Sequence, residues 1–325
     1  MRALLAGTAA ATTLAAGEDG VAVAWFPKAT YLRMPGGLVA LVAPTVFPGP
    51  LHVVLDAPLT AAPGARVVRS GTGLLVGQAF VELRGALAWH GLLPSPEEVR
   101  RSAGLVVEAA SWVAARSVLL AHPYREPAHR ALDLLRAGDL VGTAALLGGL
   151  GPGLTPAGDD ALAGMLLALR ALGGEQASQA RLRSVLRAAR TTTLSLAFLE
   201  CAAAGQAVAA VHQLLEAAAR HDHATAAAAA GALAEVGASS GADFCYGLLA
   251  ALSGGGTRPQ TVQVTRPQTV QVTRPQTVQV LSWNAPARQA ASAESRTSSG
   301  LKAFTPSMRS SSRKPYSAPM AKRQA

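Results

Sequence analysis

Ser95-Pro96-Glu97-Glu98 marks the point where the periodicity of this chain changes. A serine that can accept from the backbone three residues on, a glutamate at that third position and a proline between them make a capping box with proline at the first helical position. Upstream, short apolar runs are set apart by glycine and proline: Val21–Phe26, Leu38–Val42, Leu51–Leu55, Arg66–Val68, Leu74–Val76 and Phe80–Leu83. This spacing predicts a compact antiparallel sheet or small barrel. Downstream, apolar residues recur at helical spacing, which predicts helices over Pro96–Leu120, Pro127–Leu147 with a break near Gly138, Asp159–Leu172 and Glu175–Ala204, then Gln206–Ala219, Ala224–Val236 and Ala242–Leu252. The expected class is α+β, with a β-rich N-terminal domain over 1–92, an α-helical domain over 93–253 and a disordered tail over 254–325.

The tail stands apart in composition. Thr257-Arg258-Pro259-Gln260-Thr261-Val262-Gln263-Val264 recurs unchanged from Thr265 and again from Thr273, and a Ser-, Ala-, Arg- and Pro-rich stretch follows. Three octads carry too little apolar surface to stack as a solenoid. The chain has 325 residues and a formal charge of +10, and from Thr257 onward eleven Lys or Arg stand against Glu294 alone. The body before that point is neutral. A nucleic-acid role would therefore rest on a tail without aromatic interleaving or a reader module, and none is expected.

Cys201 and Cys245 lie in apolar, helix-like surroundings and read as buried free thiols, which suits a reducing compartment. Arg2 and Ala3-Leu4-Leu5-Ala6 have the outline of a short secretory leader, but Gly7, Thr8, Thr12 and Thr13 dilute the apolar run. No stretch reaches the ~20 apolar residues of a membrane span. The expectation is a cytoplasmic protein with no membrane association.

The chemistry concentrates in Gly148-Gly149-Leu150-Gly151-Pro152-Gly153-Leu154-Thr155-Pro156-Ala157-Gly158-Asp159-Asp160, which runs straight into an apolar helix. Thr155 reads as N-cap and Pro156 as the first helical residue, with both aspartates in the first turn, where the macrodipole favours negative charge. So many glycines exceed what a cap needs and point to a cradle whose backbone N–H groups face a small ligand. No Gly-Lys-Ser/Thr follows, and Gly149-x-Gly151-x-Gly153 does not match the dinucleotide pattern. Asp159 and Asp160 could accept from a substrate amide, act as a base, or hold a divalent cation such as magnesium.

A second small-residue loop, Gly237-Ala238-Ser239-Ser240-Gly241-Ala242-Asp243, repeats the logic, with Ser240 as N-cap and Asp243 in the first turn. Arg190-Thr191-Thr192-Thr193-Leu194-Ser195 sets hydroxyls beside a guanidinium, a combination suited to phosphate or carboxylate. His221-Asp222-His223 reads as a solvated turn. Neither a Gly-x-Ser-x-Gly elbow nor a His-Glu-x-x-His pair occurs, so serine hydrolase and zincin chemistry lack their anchors.

On these residues the chain resembles the AllH-like family, associated with one subunit of bacterial oxamate carbamoyltransferase. The likeness rests on Gly149 through Asp160, on Arg190–Ser195 leading into Phe198-Leu199, on Ser239–Asp243, and on Gly49-Pro50-Leu51 entering a strand; it extends from Met1 to Leu252. It implies a role in purine or allantoin nitrogen catabolism, in a complex that interconverts oxalurate plus phosphate with oxamate plus carbamoyl phosphate. The implied partners are an FdrA-like, acyl-CoA-synthetase-like protein and other subunits of that complex. The Ser-x-Arg-Thr-Arg and His-Pro-x-Gln motifs of the ordinary aspartate and ornithine carbamoyltransferases are absent, so their mechanism does not transfer. On this reading Asp159 and Asp160 are the catalytic candidates. Gly151, Gly153, Thr155, Gly158, Arg190, Thr192, Ser195, Ser240, Gly241 and Asp243 would bind substrate. The alternatives are a non-catalytic scaffold or metabolite-binding subunit, and a stand-alone amide hydrolase with an Asp-activated water.

Overall fold

A computed structural model describes residues 1–173 and 177–254. The octad repeats and the expected disordered tail from Gly255 lie outside the described residues.

The N-terminal part is a curled mixed sheet of nine strands: β1 (Ala3–Gly7), β2 (Gly20–Phe26), β3 (Ala29–Met34), β4 (Gly37–Val42), β5 (His52–Leu55), β6 (Arg66–Ser70), β7 (Gly73–Val76), β8 (Ala79–Glu82) and β9 (Leu87–Trp89). Their order is β8-β7-β6-β2-β3-β4-β5-β1-β9. Most neighbours are antiparallel, as the spacing predicts, while β4–β5 and β1–β9 run parallel. The curl is drawn together beside β1, where Arg2 bridges Glu82 and the Glu82 N–H donates to the Met1 carbonyl at 3.0 Å.

The continuous apolar run of β4 explains its central place. Val39 and Leu41 point into the core enclosed by the curl, with Leu32, Val53, Leu55, Val67 and Leu74. Leu38, Ala40 and Val42 point to the opposite face, where Leu38 packs with Leu51, Cys201 and Phe198. A strand buried on both faces needs no polar alternation. β1 and the helix after it, α1 (Thr8–Ala15), occupy the segment with the outline of a leader; Ala10 and Leu14 of α1 join the enclosed core.

Helices follow from Pro96: α2 (Pro96–Ala114), a 3-10 turn at Val118–Leu120, α3 (Arg125–Arg136), α4 (Leu140–Leu147), α5 (Ala157–Leu172), α6 (Gln179–Ala188), α7 (Thr193–Ala203), α8 (Ala209–Ala219), α9 (His223–Ala234) and α10 (Ser240–Leu252). The capping box forms at α2 as read, with the Ser95 N–H donating to Glu98 Oε2 at 2.8 Å and the Glu98 N–H to Ser95 Oγ at 3.4 Å. The single helix expected over Glu175–Ala204 is instead two, α6 and α7, broken at 189–192 where Thr192 caps α7. Among the described residues no helix is long and apolar enough to cross a membrane.

α5 is buried around most of its circumference, as an apolar sequence without a polar stripe requires. It packs most closely on α10. A Cβ on Gly164 would stand 2.1 Å from the Phe244 carbonyl oxygen, and one on Gly247 1.8 Å from that of Ala161. The Ser240 side chain bonds the Asp160 carboxyl, so the first turns of the two helices meet.

Candidate functional site

The loop after α4 is shaped by its glycines. Gly149 and Gly151 hold φ of 76° and 113°, and a Cβ on Gly151 would lie 2.9 Å from the Ala157 nitrogen. Gly158 meets the chain instead: its N–H donates to the Leu150 carbonyl at 2.7 Å, and a Cβ there would stand 2.1 Å from the Leu147 oxygen. Gly153 has φ of 97°, and a Cβ there would meet the Thr155 carbonyl oxygen at an unstrained 3.9 Å. Pro156, not Thr155, occupies the N-cap position of α5, and no side chain caps that helix. The cause is local: Pro156 takes an extended conformation, and its carbonyl receives the N–H groups of Asp159 and Asp160.

The adjacent aspartates have different surroundings. Asp159 is buried, and both of its carboxylate oxygens are engaged, Oδ1 accepting from the Gly149 N–H at 2.8 Å and Oδ2 from the Thr191 hydroxyl. It fastens the loop to the start of α7. Asp160 is half-buried; the Ser240 hydroxyl bonds its carboxyl, while Oδ2 is sealed from solvent and has no hydrogen-bond partner. Burial pushes the Asp160 carboxyl well above the usual carboxylate range; the Ser240 bond opposes this, and the charges of Asp243 and Asp159 add to it.

Three helix starts meet here. Thr192 caps α7, accepting from the Ser195 N–H at 3.0 Å, and its hydroxyl donates to the Leu154 carbonyl at 3.0 Å. The Ser195 hydroxyl reaches the same carbonyl at 3.4 Å, so the outer arm of the glycine loop is stapled to α7. At α10 the N-cap is Ser239, which places Ser240 in the first turn, close enough to bond Asp160. Asp243 is fully buried, its Oδ1 accepting from the Ser117 hydroxyl at 2.7 Å and from the Val118 N–H at 2.9 Å. Burial raises its pKa against these hydrogen bonds. Gly241 lies against α9, with a Cβ there 1.8 Å from the Leu233 oxygen, and the Arg190 side chain is exposed. Thus Asp159, Asp160, Thr192, Ser195, Ser240 and Asp243 converge with the glycine loop, whereas Gly241 is a packing position and Arg190 faces solvent beside it.

Two participants escaped the sequence reading. Tyr31 of β3 sits on the helix-facing side of the sheet, against Leu38, Leu194 and Phe198, with the Phe26 ring edge-on at 5.9 Å. Burial raises its pKa and the Asp160 charge raises it further. The segment Ala29-Thr30-Tyr31-Leu32, rich in β-formers between Pro27-Lys28 and Pro35-Gly36, carried a strand signal that could have found it. Ser117, the partner of Asp243, carries no such signal.

Among the described residues no group of three or more His, Cys, Asp and Glu side chains is placed to hold a metal ion. Asp222 caps α9, accepting from the Thr225 N–H at 3.0 Å, so His221-Asp222-His223 is a turn, as read.

The loop, the α7 start and the α10 start all fall within one stretch that is similar to a known family. Residues 146–252 match the family described as oxamate carbamoyltransferase subunit AllH. The match covers about a third of the chain and bears out the resemblance read from the loop motifs. The segment that carries Asp159, Asp160, Thr192, Ser195, Ser240 and Asp243 is thus similar to that family. No curated protein and no solved structure matches the chain.

Proposed function

We propose that this chain is a cytoplasmic subunit of an oxamate carbamoyltransferase-type complex in purine or allantoin nitrogen catabolism, working with an FdrA-like protein and other subunits. The reaction joins the amide nitrogen of oxamate to the carbamoyl carbon of carbamoyl phosphate. The C–O bond to phosphate breaks, phosphate leaves with the electron pair, and the amide proton is transferred to the medium or to phosphate; the reverse direction degrades oxalurate. The observation that carries the reading is the meeting of the AllH-type glycine loop with two further helix starts around Asp160, whose one free oxygen is held out of water.

In this proposal Asp159 does not react; it holds Gly149 and Thr191 so that the loop keeps its shape. Backbone N–H groups near Gly151 and Gly153, with Thr155, face a carbonyl or phosphate oxygen, and donors fixed in advance stabilise charge as it develops there, while Gly158 packs the loop against the start of α5. Thr192 and Ser195 hold the loop's outer arm, and Ser240 and Asp243 set the position of Asp160. Arg190, exposed beside the loop, is available to an incoming anion or a neighbouring subunit.

A second reading, a ligand-binding subunit whose chemistry lies on its partners, draws on the sealed state of Asp160 Oδ2 in the isolated chain. Thermal shift with oxamate, oxalurate, carbamoyl phosphate and phosphate, each with and without magnesium, separates the two when paired with turnover assays on the chain alone and on the reconstituted complex. Ligand-dependent shift with turnover in the complex, both lost in Asp160→Ala, is expected. Full turnover by a complex carrying Asp160→Ala would leave only the binding role.

A further inference from the structure

We propose that the outward faces of α4 and α6, with Arg190 beyond them, form a docking surface for a carboxylate-rich segment of a partner subunit. This deepens the subunit reading and rests on it only for the existence of such a partner.

α4 and α6 pack on each other and on α5, where Leu140 and Thr143 of α4 and Val185 of α6 meet Leu162 and Leu166 in one apolar seam. Their other faces are left to solvent. α4 carries no charged residue, and its outward positions are Val141, 46% exposed, and Ala145. On α6 the exposed Arg183 and Arg187 stand one turn apart on one face. Arg190, also exposed, follows the end of the helix and lies next to the glycine loop, since a Cβ on Gly149 would stand 2.7 Å from its carbonyl oxygen.

These arginines lack the counter-charge found elsewhere. Three other helical arginines meet a carboxylate about one turn earlier, Arg101 with Glu97, Arg136 with Asp133 and Arg220 with Glu216. α6 puts neutral side chains in those places: Arg183 Nη1 donates to Gln179 Oε1 at 3.3 Å and Arg187 Nη2 to Ser184 Oγ at 3.4 Å. No carboxylate among the described residues pairs with Arg183, Arg187 or Arg190, and the sequence holds no Asp or Glu from Gln176 to Leu199. The carboxylates flanking the row are already engaged, Asp139 by the Gly142 N–H at 2.8 Å and Asp159 by Gly149 and Thr191. Guanidinium groups beside an uncharged aliphatic face suit a protein partner that brings carboxylates to the arginines and apolar side chains to Val141. A nucleic acid would supply phosphates but nothing for Val141, and the row has no base-reading module. A partner seated here would lie against the glycine loop.

The test is fluorescence anisotropy of the full chain with a labelled peptide that carries Glu and Leu at helical spacing, beside the same peptide with Gln for Glu and a short DNA duplex, all at about 0.15 M salt. The Glu/Leu peptide should bind. The double variant Arg183→Gln, Arg187→Gln should weaken it by about tenfold or more and Val141→Ser by about threefold, while the Gln peptide should bind no better to the native chain than to the double variant. Native and variant chains share residues 255–325, so any attraction of that basic segment cancels in the comparison. The altered side chains are exposed, and melting temperatures within about 2 °C of native will show that the fold is kept. Hydrogen exchange should slow over 140–147 and 179–188 when the Glu/Leu peptide is bound. No binding by the native chain, equal binding by the double variant, unprotected α4 and α6 amides, or tighter binding of the duplex that the same variant abolishes would each overturn the inference. Because no turnover is read, a reconstituted complex without carbamoyltransferase activity would remove the proposed reaction and leave this surface standing.

Discussion

Asp159 and Asp160 are neighbours in sequence and about 100° apart around α5, and this turn decides their chemistry. Asp159 accepts from Gly149 and Thr191, so Asp159→Ala should destabilise the chain by about 1–3 kcal/mol and raise protease cleavage within 149–154, read by urea unfolding and limited proteolysis. Asp160 behaves oppositely. Its folded pKa is raised, so the unfolded chain gives up this proton at ordinary acidity while the folded chain keeps it; the stability linked to it is complete below the unfolded pKa and is lost as pH rises toward the folded one. Asp160→Asn cannot ionise, so its melting temperature should gain on that of the native chain between pH 4 and 7. A variant that loses ground over that range would mean Asp160 is ionised and paired. The sequence marked this pair through a glycine-rich loop before a helix, but gave both residues one role, because it does not say which oxygens find donors. The same gap moved the cap from Thr155 to Pro156.

Among elements, α7 shows where one-dimensional signals end. Its start lacks glycine and proline, so Glu175–Ala204 reads as unbroken; the break is made by the Thr192 hydroxyl, which captures the Ser195 N–H and leaves a turn free to grip the glycine loop. Thr192→Ala should cost about 1 kcal/mol, with Thr192→Ser close to native, in the same urea unfolding. β4 was legible because a run buried on both faces is continuously apolar, and β3, with Tyr31, was passed over although its composition resembles that of its neighbours. The contact of α5 with α10 depends on backbone nearness that no periodicity reveals. A Cβ at Gly247 would stand 1.8 Å from the Ala161 oxygen, so Gly247→Ala should force the helices apart at a cost of about 3 kcal/mol and disturb ligand binding at their shared N-terminal end. Native binding with unchanged stability in that variant would show that the close approach is dispensable.

At the scale of the whole molecule, two histidines are buried, and one of them, His212, ties the strand-to-helix connection after β9 to α8. His212 of α8 accepts from the Ala207 N–H at Nε2, at 3.1 Å, which fixes the proton on Nδ1 for the Leu92 carbonyl at 2.9 Å; its ring lies edge-on to Trp89 of β9. His52, opening β5, holds the Phe47 carbonyl at 2.9 Å through Nδ1. Burial lowers both pKa values from 6.5, against the backbone hydrogen bonds that raise them. The unfolded chain therefore takes up protons that the folded chain refuses. The stability from neutral His52 and His212 is present above about pH 6.5 and is lost as pH falls toward the depressed folded values, the reverse of the Asp160 trend. Protonation at Nε2 of His212 would set a second donor against the Ala207 N–H and release the strand-to-helix connection from α8. Melting temperatures of the native chain should fall below pH 6.5, and His212→Gln, whose amide never takes a charge, should remove about half of that fall while lowering stability at pH 8. If both proteins fall in parallel, the acid sensitivity lies elsewhere, and these histidines stabilise the fold by shape alone.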